Sequence, residues 1–524
     1  MTRTQTIATV GNRRRWIGLA VLALPTLLLS LDISVLYLAL PHLAADLGAD
    51  SVAQLWILDI YSFVLAGCLV TMGTLGDRIG GRRLLLIGGA CFGGASIIAA
   101  LSPTTEVLIA SRALLGVAGA TLMPSTLALI RNMFPEPTEM GTAIGVWFTS
   151  FLGGLAIGPL VGGILLEHFW WGSAFLLGVP FMALLLVTGP FFLPEYRDGS
   201  AGRLDLISAG LSVAAILLAI YGLKELARSG PGLVTASALV VGLALGVVFV
   251  RRQQRLRDPL LDLGLFRYRT FSTALGVSLL LGVVMAGASF VTTLYLQMVA
   301  GLRPLEAGLA LVPQSVVMAA GFLAAPRLAN RFGQTRLVAA GISAAGVGLL
   351  VLTQVGAGGD VPTLILGMIL THAGIATPMA LMLGIVLGSA PPEKAGSAAA
   401  LNETSGEFGI ALGIATLGTL ATAVYRAEML NRVSDLPTVA AAAAGQSITA
   451  AMATAAGLDP ATGAALVEAA RAAFTLGLNV VGAVGGTIFL VLAAVAWQSF
   501  RPRPAREPKA SPPAAVLAPA AAGK

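Results

Sequence analysis

Residues 73–83 read GTLGDRIGGRR, and residues 325–336 read APRLANRFGQTR. Both stretches contain the pattern Arg-(Ile/Phe)-Gly, followed within a few positions by a basic residue, and each separates two long apolar segments. Similar basic turns at equivalent places in two helical hairpins indicate a weak internal repeat. The repeat predicts a chain built from two related halves, the usual architecture of secondary transporters.

The composition is that of a membrane protein. Of the 524 residues, 56% are hydrophobic and only 11% are charged, and the mean hydropathy is +0.88, whereas soluble domains carry about 25% charged residues. One soluble core of this size is excluded because such cores stop growing near 250–300 residues. We therefore predict an all-α polytopic membrane protein.

About 20 apolar residues span the ~30 Å hydrocarbon core as a helix. Reading between charge clusters predicts fourteen such helices, at residues 16–39, 55–75, 84–102, 107–130, 141–166, 171–193, 205–223, 232–250, 271–297, 306–326, 337–354, 362–388, 396–424 and 473–498. The first run is too long for a signal peptide and is read as a retained membrane helix. No GxxxxGK[ST] pattern occurs, so the sequence does not support transport driven by ATP.

The helices predict five regions. A six-helix half (16–193) and a second half (271–498) flank a linker (194–270) that carries helices 7 and 8. Residues 1–15 form the N-terminal segment, and the Pro- and Ala-rich stretch 499–524 is predicted to be a disordered tail. The last two helices are separated by a long loop, residues 425–472, in which AAAAAGQSITAAMATAA suggests a short amphipathic helix.

The distribution of Lys and Arg predicts the topology. Twenty-five of them fall on the side of the termini, six on the other side, and one, Arg112, lies inside a helix. The positive-inside rule then places both termini in the cytoplasm, in a cell (inner or plasma) membrane. The net charge of +7 reflects this topology rather than affinity for nucleic acid. The two cysteines and three histidines supply neither a disulfide framework nor a metal motif.

Several motifs together resemble a known family. GTLGDRIGGRR is similar to the loop signature of the major facilitator superfamily, and RALLGVAGATLMPS (112–125) to its helix-4 motif. GGLAIGPLVGG (153–163) and LDISVLYLALP (31–41) resemble motifs of the fourteen-helix branch of drug:proton antiporters, especially the quaternary-ammonium and methyl-viologen multidrug exporters. The likeness covers nearly the whole chain. It departs from the family at GGRR, where many relatives have a single Gly, and in the degenerate second-half turn.

Two motifs are candidates for conformational roles. The turn between helices 2 and 3 is a candidate gate that pairs across the cytoplasmic face; simple positive-inside anchoring is the alternative. Its residues are Gly73, Asp77, Arg78, Gly80, Arg82 and Arg83. The helix-5 motif presents a stripe of small residues that a second helix can approach closely. Ordinary helix packing and an interface that opens during alternating access both fit this stripe, which is Gly154, Gly158 and Gly162. The motif also includes Pro159 and Gly163.

Four carboxylates lie within predicted membrane helices, where ionisable side chains mark ion or substrate pathways. They are Asp32, Asp59, Glu403 and Glu407, and all four are candidate proton or cation sites. Glu403 and Glu407 stand four residues apart and share one helical face, with Glu407 the deeper of the two. Arg112 lies one to two turns into helix 4. It either snorkels to the surface or pairs with one of these acids and assists proton coupling.

Aromatic faces suit cationic ligands. Candidates for an aromatic lining of the substrate cavity are Trp56, Tyr61, Trp147, Phe151, Phe290 and Tyr295, although each of them also fits lipid contact or packing. His372, in helix 12, is a further candidate for proton relay, with a hydrogen-bonded structural role as the alternative.

The resemblance implies a proton-coupled antiporter, not an enzyme, which exports hydrophobic cationic drugs by alternating access. A carboxyl group in a partly dehydrated cavity tends to hold a proton, and a bound cation favours its release, so the two compete. The expected partners are hydrophobic cationic small molecules, protons and membrane lipids, with a monomeric chain, no nucleic acid and no cofactor other than the proton gradient. The alternatives are an exporter of one endogenous metabolite or antibiotic and, disfavoured by the helix-5 motif, a proton-coupled uptake symporter.

Overall fold

The computed structural model describes residues 12–195, 205–229, 232–256, 259, 263–390, 395–432, 441 and 444–501. Within these ranges the chain is almost wholly helical and contains no strand. Thirteen helices there are long and apolar enough to cross a membrane, and the shorter apolar stretch Ile207–Gly222 coincides with predicted helix 7. The all-α membrane fold is thus confirmed, whereas the predicted disordered tail lies almost entirely outside the described residues.

The helices are numbered as in the prediction. They are α1 Asn12–Leu47, α2 Ser51–Ile79, α3 Gly81–Ala100, α4 Thr105–Met133, α5 Pro137–His168, α6 Ser173–Phe192, α7 Leu206–Ser229, α8 Leu233–Gln253, α9 Arg269–Val299, α10 Pro304–Phe332, α11 Gln334–Gln354, α12 Val361–Ser389, α13 (Ala395–Gly413, a π-helical turn Ile414–Gly418, and Thr419–Arg432) and α14 Pro460–Phe500. We call the end of the bundle at which α1 begins and α14 finishes the termini end, and the opposite end the far end.

The packing of the helices repeats with an offset of eight. In the first half α1 packs on α5, α2 and α3 on α4, and α3 on α6; in the second half α9 packs on α13, α10 and α11 on α12, and α11 on α14. The two halves are therefore built by the same pattern of neighbours. α7 and α8 stand outside this pattern as a hairpin that packs on itself and on α2.

The two turns that suggested a repeat adopt matching backbone conformations. Gly80 ends α2 with φ 110° and ψ 129°, and Gly333 ends α10 with φ 86° and ψ 138°. Side chains other than hydrogen strongly disfavour positive φ with an extended ψ, so both turns need glycine. In each turn the next helix begins at the following residue.

The segment between α13 and α14 contains far more helix than the predicted loop 425–472. α13 continues to Arg432, a short helix covers Ile448–Ala456, and α14 begins at Pro460 rather than at residue 473. Asp459 caps α14 by accepting a hydrogen bond from the Thr462 amide (3.1 Å), and proline is favourable at the first helical position. Alanine, the best helix former, carries the helix onward although it lacks membrane-like apolarity.

The halves meet closely at the far end. Arg303, just before α10, forms an ion pair with Glu167 of α5 (Nη1–Oε1 2.6 Å). The Gln297 amide of α9 donates to the Leu38 carbonyl of α1 (3.2 Å), and the Gln54 amide of α2 donates to Thr449 of the short helix (3.1 Å). Three separate helix pairs thus close this end between the halves.

Candidate functional site

A central cavity of about 330 Å³ lies between the two halves, on the termini-end side of these contacts. It is lined by α1 and α5 from the first half and by α9, α10, α12 and α13 from the second. Glu403, Glu407 and His372 are, apart from the phenol of Tyr37, the only titratable side chains among the described lining residues, and no Lys or Arg is among them. The cavity therefore offers negative charge without a built-in cationic partner.

Glu403 and Glu407 reach the cavity from successive turns of α13. Glu407 is only 8% exposed, and its Oε2 is shielded from water without a hydrogen-bond partner within the described residues. Gly406, between them, also lines the cavity, and a Cβ added there would meet nothing within 4 Å. A buried carboxylate oxygen without a donor is costly, so this position favours either a proton or a bound cation.

His372 is the third ionisable lining residue. Its ring Nδ1 lies 2.8 Å from the Met368 carbonyl one turn back on α12, and the side chain is buried. Because a carbonyl only accepts, Nδ1 carries the proton of this hydrogen bond and Nε2 is left as the remaining ring nitrogen. This hydrogen bond fits the structural alternative for His372, and a role in proton relay stays a prediction.

The aromatic lining differs from the predicted set. Of the six candidates only Phe151 lines the cavity, where it is joined by Tyr37, Phe148 and Phe322. Phe148 of α5 and Phe322 of α10 stack across the two halves with ring centroids 5.5 Å apart. The stacked pair therefore forms part of the cavity wall where α5 and α10 meet.

The other five aromatic candidates lie elsewhere, so the structure does not support their proposed lining role. Trp56 packs beside Tyr221 of α7, and Trp147 is buried and donates to Thr126 (3.3 Å). Tyr61 is buried against Arg112, and Phe290 packs on Gly418. The Tyr295 hydroxyl forms hydrogen bonds with the backbone of the turn after α11. Four of the five are buried in the protein core and Trp56 is partly buried, and none of them lines the cavity.

Arg112 and Asp32 form a buried ion pair inside the first half. The distance from Nη1 to Oδ2 is 2.7 Å, and Arg112 is 1% exposed. The Arg112 Nε donates to the Ile57 carbonyl (3.1 Å), and its guanidinium lies 4.5 Å from the centre of the Tyr61 ring. Arg112 thus does not snorkel. Asp32 is next to the lining residue Ile33 but does not itself line the cavity, and Asp59 is fully buried in α2.

The helix-5 motif faces two different neighbours. Gly154, Gly158 and Gly162 lie against α1 of the same half, where a Cβ at Gly162 would come within 3.2 Å of the Val35 backbone. Gly163 instead lies against α10 of the second half, where a Cβ would be 2.7 Å from the Leu305 Cα. Pro159 likewise meets α10, through its carbonyl oxygen beside Gly308. The glycine stripe is therefore packing within one half, and the contact between the halves belongs to Pro159 and Gly163.

The candidate gate makes its described contacts within the first half. Arg82 donates to the Leu193 carbonyl (3.0 Å) and lies 3.3 Å from Glu195 Oε2, and Arg83 lies 3.8 Å from the same oxygen. Arg78 is exposed. The Asp77 side chain, for which pairing across the termini end is predicted, lies outside the described residues. These contacts join α3 to the end of α6.

A family model described as Major Facilitator Superfamily matches residues 22–414. The chain belongs to this superfamily. The resemblance read from its motifs is thereby confirmed, and the chain is a transporter of this class rather than an enzyme. Membership also accounts for the two halves and the cavity between them.

Its relatives include drug exporters. The chain is 42% identical over 488 residues to the multidrug efflux pump LfrA of Mycolicibacterium smegmatis, covering 93% of this chain and 97% of that protein. It is 36% identical over 500 residues to the methyl viologen resistance protein SmvA of Salmonella typhimurium, covering 93% and 98%. Among solved structures, a bacterial homolog of the human lysosomal transporter Spinster, in an inward-facing and unoccupied conformation, matches with a TM-score of 0.66 at 15% identity, covering 94% and 98%.

Proposed function

We propose that this protein is a proton-coupled antiporter that exports hydrophobic cations such as quaternary ammonium compounds and cationic dyes. The observation that supports this proposal most directly is the central cavity. Glu403 and Glu407 lie on one wall of the cavity, and the opposite side is aromatic and apolar. Such a cavity satisfies a lipophilic cation by charge and by ring faces. The relatives LfrA and SmvA, a multidrug pump and a methyl viologen resistance protein, support the same substrate class.

Competition for one site supplies the coupling. A proton on Glu407 satisfies its buried oxygen, and a cation satisfies the ionised form, but the two do not bind there together. Glu403, one turn nearer the termini end, is the entrance partner, and two acids this close titrate as a coupled pair. If only loaded forms change conformation, each cation exported is exchanged for protons.

The orientation belongs to the proposal as well. With both termini in the cytoplasm, the far-end contacts close the external side and the cavity faces the cytoplasm, which is the loading state of an exporter. We assign the protein to the cell membrane and to a monomer, because one chain supplies the whole cavity wall. The buried pair Arg112–Asp32 holds α4 to α1 beside the cavity and is assigned a role in proton coupling.

Proton release tests the proposal directly. Purified protein in detergent is mixed with tetraphenylphosphonium, ethidium, methyl viologen and neutral drugs, and the protons released are measured with a pH dye. Wild-type protein should release protons with the cations, and Glu407→Gln should lose that release and at least tenfold of the proton-driven transport in proteoliposomes. Glu139→Gln, which neutralises a surface acid paired with Arg15, is the matched control and should behave as wild type.

The outcomes separate the candidate functions. Proton release that is induced by one compound alone, or by neutral drugs alone, would favour the narrow exporter of one metabolite or antibiotic. Normal release and transport by both Glu407→Gln and Glu403→Gln would refute the assigned site. Movement of protons across the proteoliposome membrane in the same direction as the substrate would indicate a symporter.

A further inference from the structure

The inserted hairpin leaves a second, larger space beside the second half. A groove of about 1050 Å³ lies between α7 and α8 on one side and α9 and α13 on the other, with α2 at its base. Its lining is mostly aliphatic and glycine, for example Ile216, Val247 and Leu279. Hydrophobic surface of this extent requires an apolar occupant, which in a bilayer is hydrocarbon.

The depth of the groove corresponds to one leaflet. Its lining residues on α8 and its C-cap run from Gly242 to Gln254, and those on α13 run from Leu401 to Leu412. At 1.5 Å per residue these stretches are about 18 Å and 16 Å long, close to half of the ~30 Å hydrocarbon core. Both stretches lie in the part of their helix nearer the termini end. The groove therefore spans the leaflet at that end.

The mouth of the groove carries positive charge. Arg251 is the only charged side chain among the described lining residues, and it is exposed beside Gln254 at the end of α8. Its neighbour Arg252 turns to the other side and pairs with Asp205 (3.1 Å), whereas Arg251 takes part in no ion pair of the described residues. An apolar slot with one guanidinium at headgroup level fits the chemistry of an anionic phospholipid.

We propose that this groove is a binding site for one anionic phospholipid of the leaflet at the termini end. The acyl chains lie along α8 and α13, and the phosphate accepts hydrogen bonds from Arg251 and Gln254. A cationic drug is disfavoured as the occupant because the groove has no described carboxylate and its mouth is positive. If the termini are cytoplasmic, this leaflet is the one that carries the anionic lipids.

The site adjoins the substrate cavity through one helix. Thr404 and Phe408 of α13 line the groove, whereas Glu403 and Glu407, on the other face, line the cavity. A lipid in the groove therefore packs on the back of the helix that carries the two acids. The binding of the lipid is independent of what the cavity transports, so it is tested without a transport assay.

Native mass spectrometry of the purified full chain measures the lipid directly. Delipidated protein is titrated with phosphatidylglycerol and with phosphatidylcholine, and the fraction that retains one lipid is recorded for each. We expect wild type to prefer phosphatidylglycerol. Arg251→Gln should lose roughly fivefold of that preference, the usual contribution of one basic side chain at a membrane surface. Arg255→Gln, which removes an exposed charge one turn further on that does not line the groove, should keep it.

A second pair of variants tests the apolar body. A Cβ at Gly246 or at Gly276 would meet nothing within 4 Å, so Gly246→Phe or Gly276→Phe fills the groove without displacing backbone. Each should lose the bound lipid of either headgroup. Gly210→Phe, at an exposed and equally open position outside the groove, is the control and should retain it.

Three results would overturn the proposal. The first is equal loss of headgroup preference in Arg251→Gln and Arg255→Gln. The second is full lipid retention by both groove-filling variants, with circular dichroism and gel filtration showing that they are folded. The third is displacement of the lipid by stoichiometric tetraphenylphosphonium, or a dimer mass that replaces the lipid adduct, because either would assign the groove to a different occupant.

Discussion

Adding one methyl group at Gly163 should open the far end of the protein. Gly163, on α5, faces the first turn of α10, and a Cβ built there lies 2.7 Å from the Leu305 Cα and 3.0 Å from the Pro304 carbonyl oxygen. Both are backbone atoms of the opposite half, so no side-chain rotation relieves the clash. In Gly163→Ala the two helices must separate wherever this contact exists, which is in the far-end-closed state.

The size of the effect follows from the geometry. Ordinary van der Waals contact begins near 3.4 Å, so the 2.7 Å approach must lengthen by about 0.7 Å. Overpacking of this kind costs about 1–3 kcal/mol. At 1.4 kcal/mol per factor of ten, the ratio of far-end-open to far-end-closed protein should rise by roughly 5- to 150-fold.

Pulsed electron–electron resonance between two spin labels measures this ratio. Labels are placed on Phe169→Cys at the end of α5 and Leu309→Cys on α10, both exposed positions, in a chain from which Cys68 and Cys91 have been removed. Gly163→Ala should move population from the short to the long distance.

Gly153→Ala is the matched control. Gly153 lies on the same helix, but a Cβ there meets nothing within 4 Å. Gly153→Ala raises the helix propensity of α5 as much as Gly163→Ala does, but without the clash. The control therefore separates the effect of the clash from that of a general stiffening of α5. Identical distance distributions for wild type and Gly163→Ala would refute the reasoning, as would an equal shift in the control.

Three further outcomes are expected. Arg112→Gln leaves the buried Asp32 carboxylate without its ion-pair partner and should lower the free energy of unfolding by about 3–5 kcal/mol. In thermal unfolding, the double variant with Arg112→Gln and Asp32→Asn should regain much of this stability. Additive losses from the two substitutions would contradict a direct pair. Tyr295→Phe removes a hydroxyl that bonds to the turn after α11 and should cost about 1–2 kcal/mol, read from the same melting curves. Burial raises the pKa of the Asp205 carboxyl, but hydrogen bonds from Arg252 and a neighbouring serine outweigh it, so this pKa lies below its ordinary value. The part-exposed pair of Asp205 and Arg252 should therefore add about 1 kcal/mol to the free energy of unfolding above pH ~4, and this contribution is lost as the pH falls through the lowered pKa. Asp205→Asn should accordingly melt at a lower temperature than wild type at pH 7 and at the same temperature in acid.

Hydropathy and charge were sufficient to predict the architecture. A membrane helix is defined by its own apolar length, so α1 to α13 are found near their predicted places, and the positive-φ glycines 80 and 333 occupy the two turns that suggested the repeat. The start of α14 was missed because hydropathy measures affinity for lipid. Residues 460–472 are helical because they are rich in alanine and because Asp459 caps the helix, and neither feature is detected by a search for apolar segments.

The site was harder to predict, since it depends on how helices are rotated against one another. Glu403 and Glu407 were identified because acids are rare in apolar segments, and that rarity needs no tertiary information. An aromatic residue is common on every face, so only the packing shows that Phe148 and Phe322 line the cavity while Trp147 does not. The choice of Asp32, among four acids, as the partner of Arg112 likewise required the packing of α4 against α1.

The far-end closure has a consequence for mutational robustness. Among the described residues, its three polar contacts, Arg303–Glu167, Gln297–Leu38 and Gln54–Thr449, lie on three different helix pairs. Each is worth about 1 kcal/mol, so the loss of any one changes the balance of states by less than tenfold, whereas all three must break together for the end to open. Such redundancy lets individual contacts drift during evolution while opening remains a cooperative, all-or-none event.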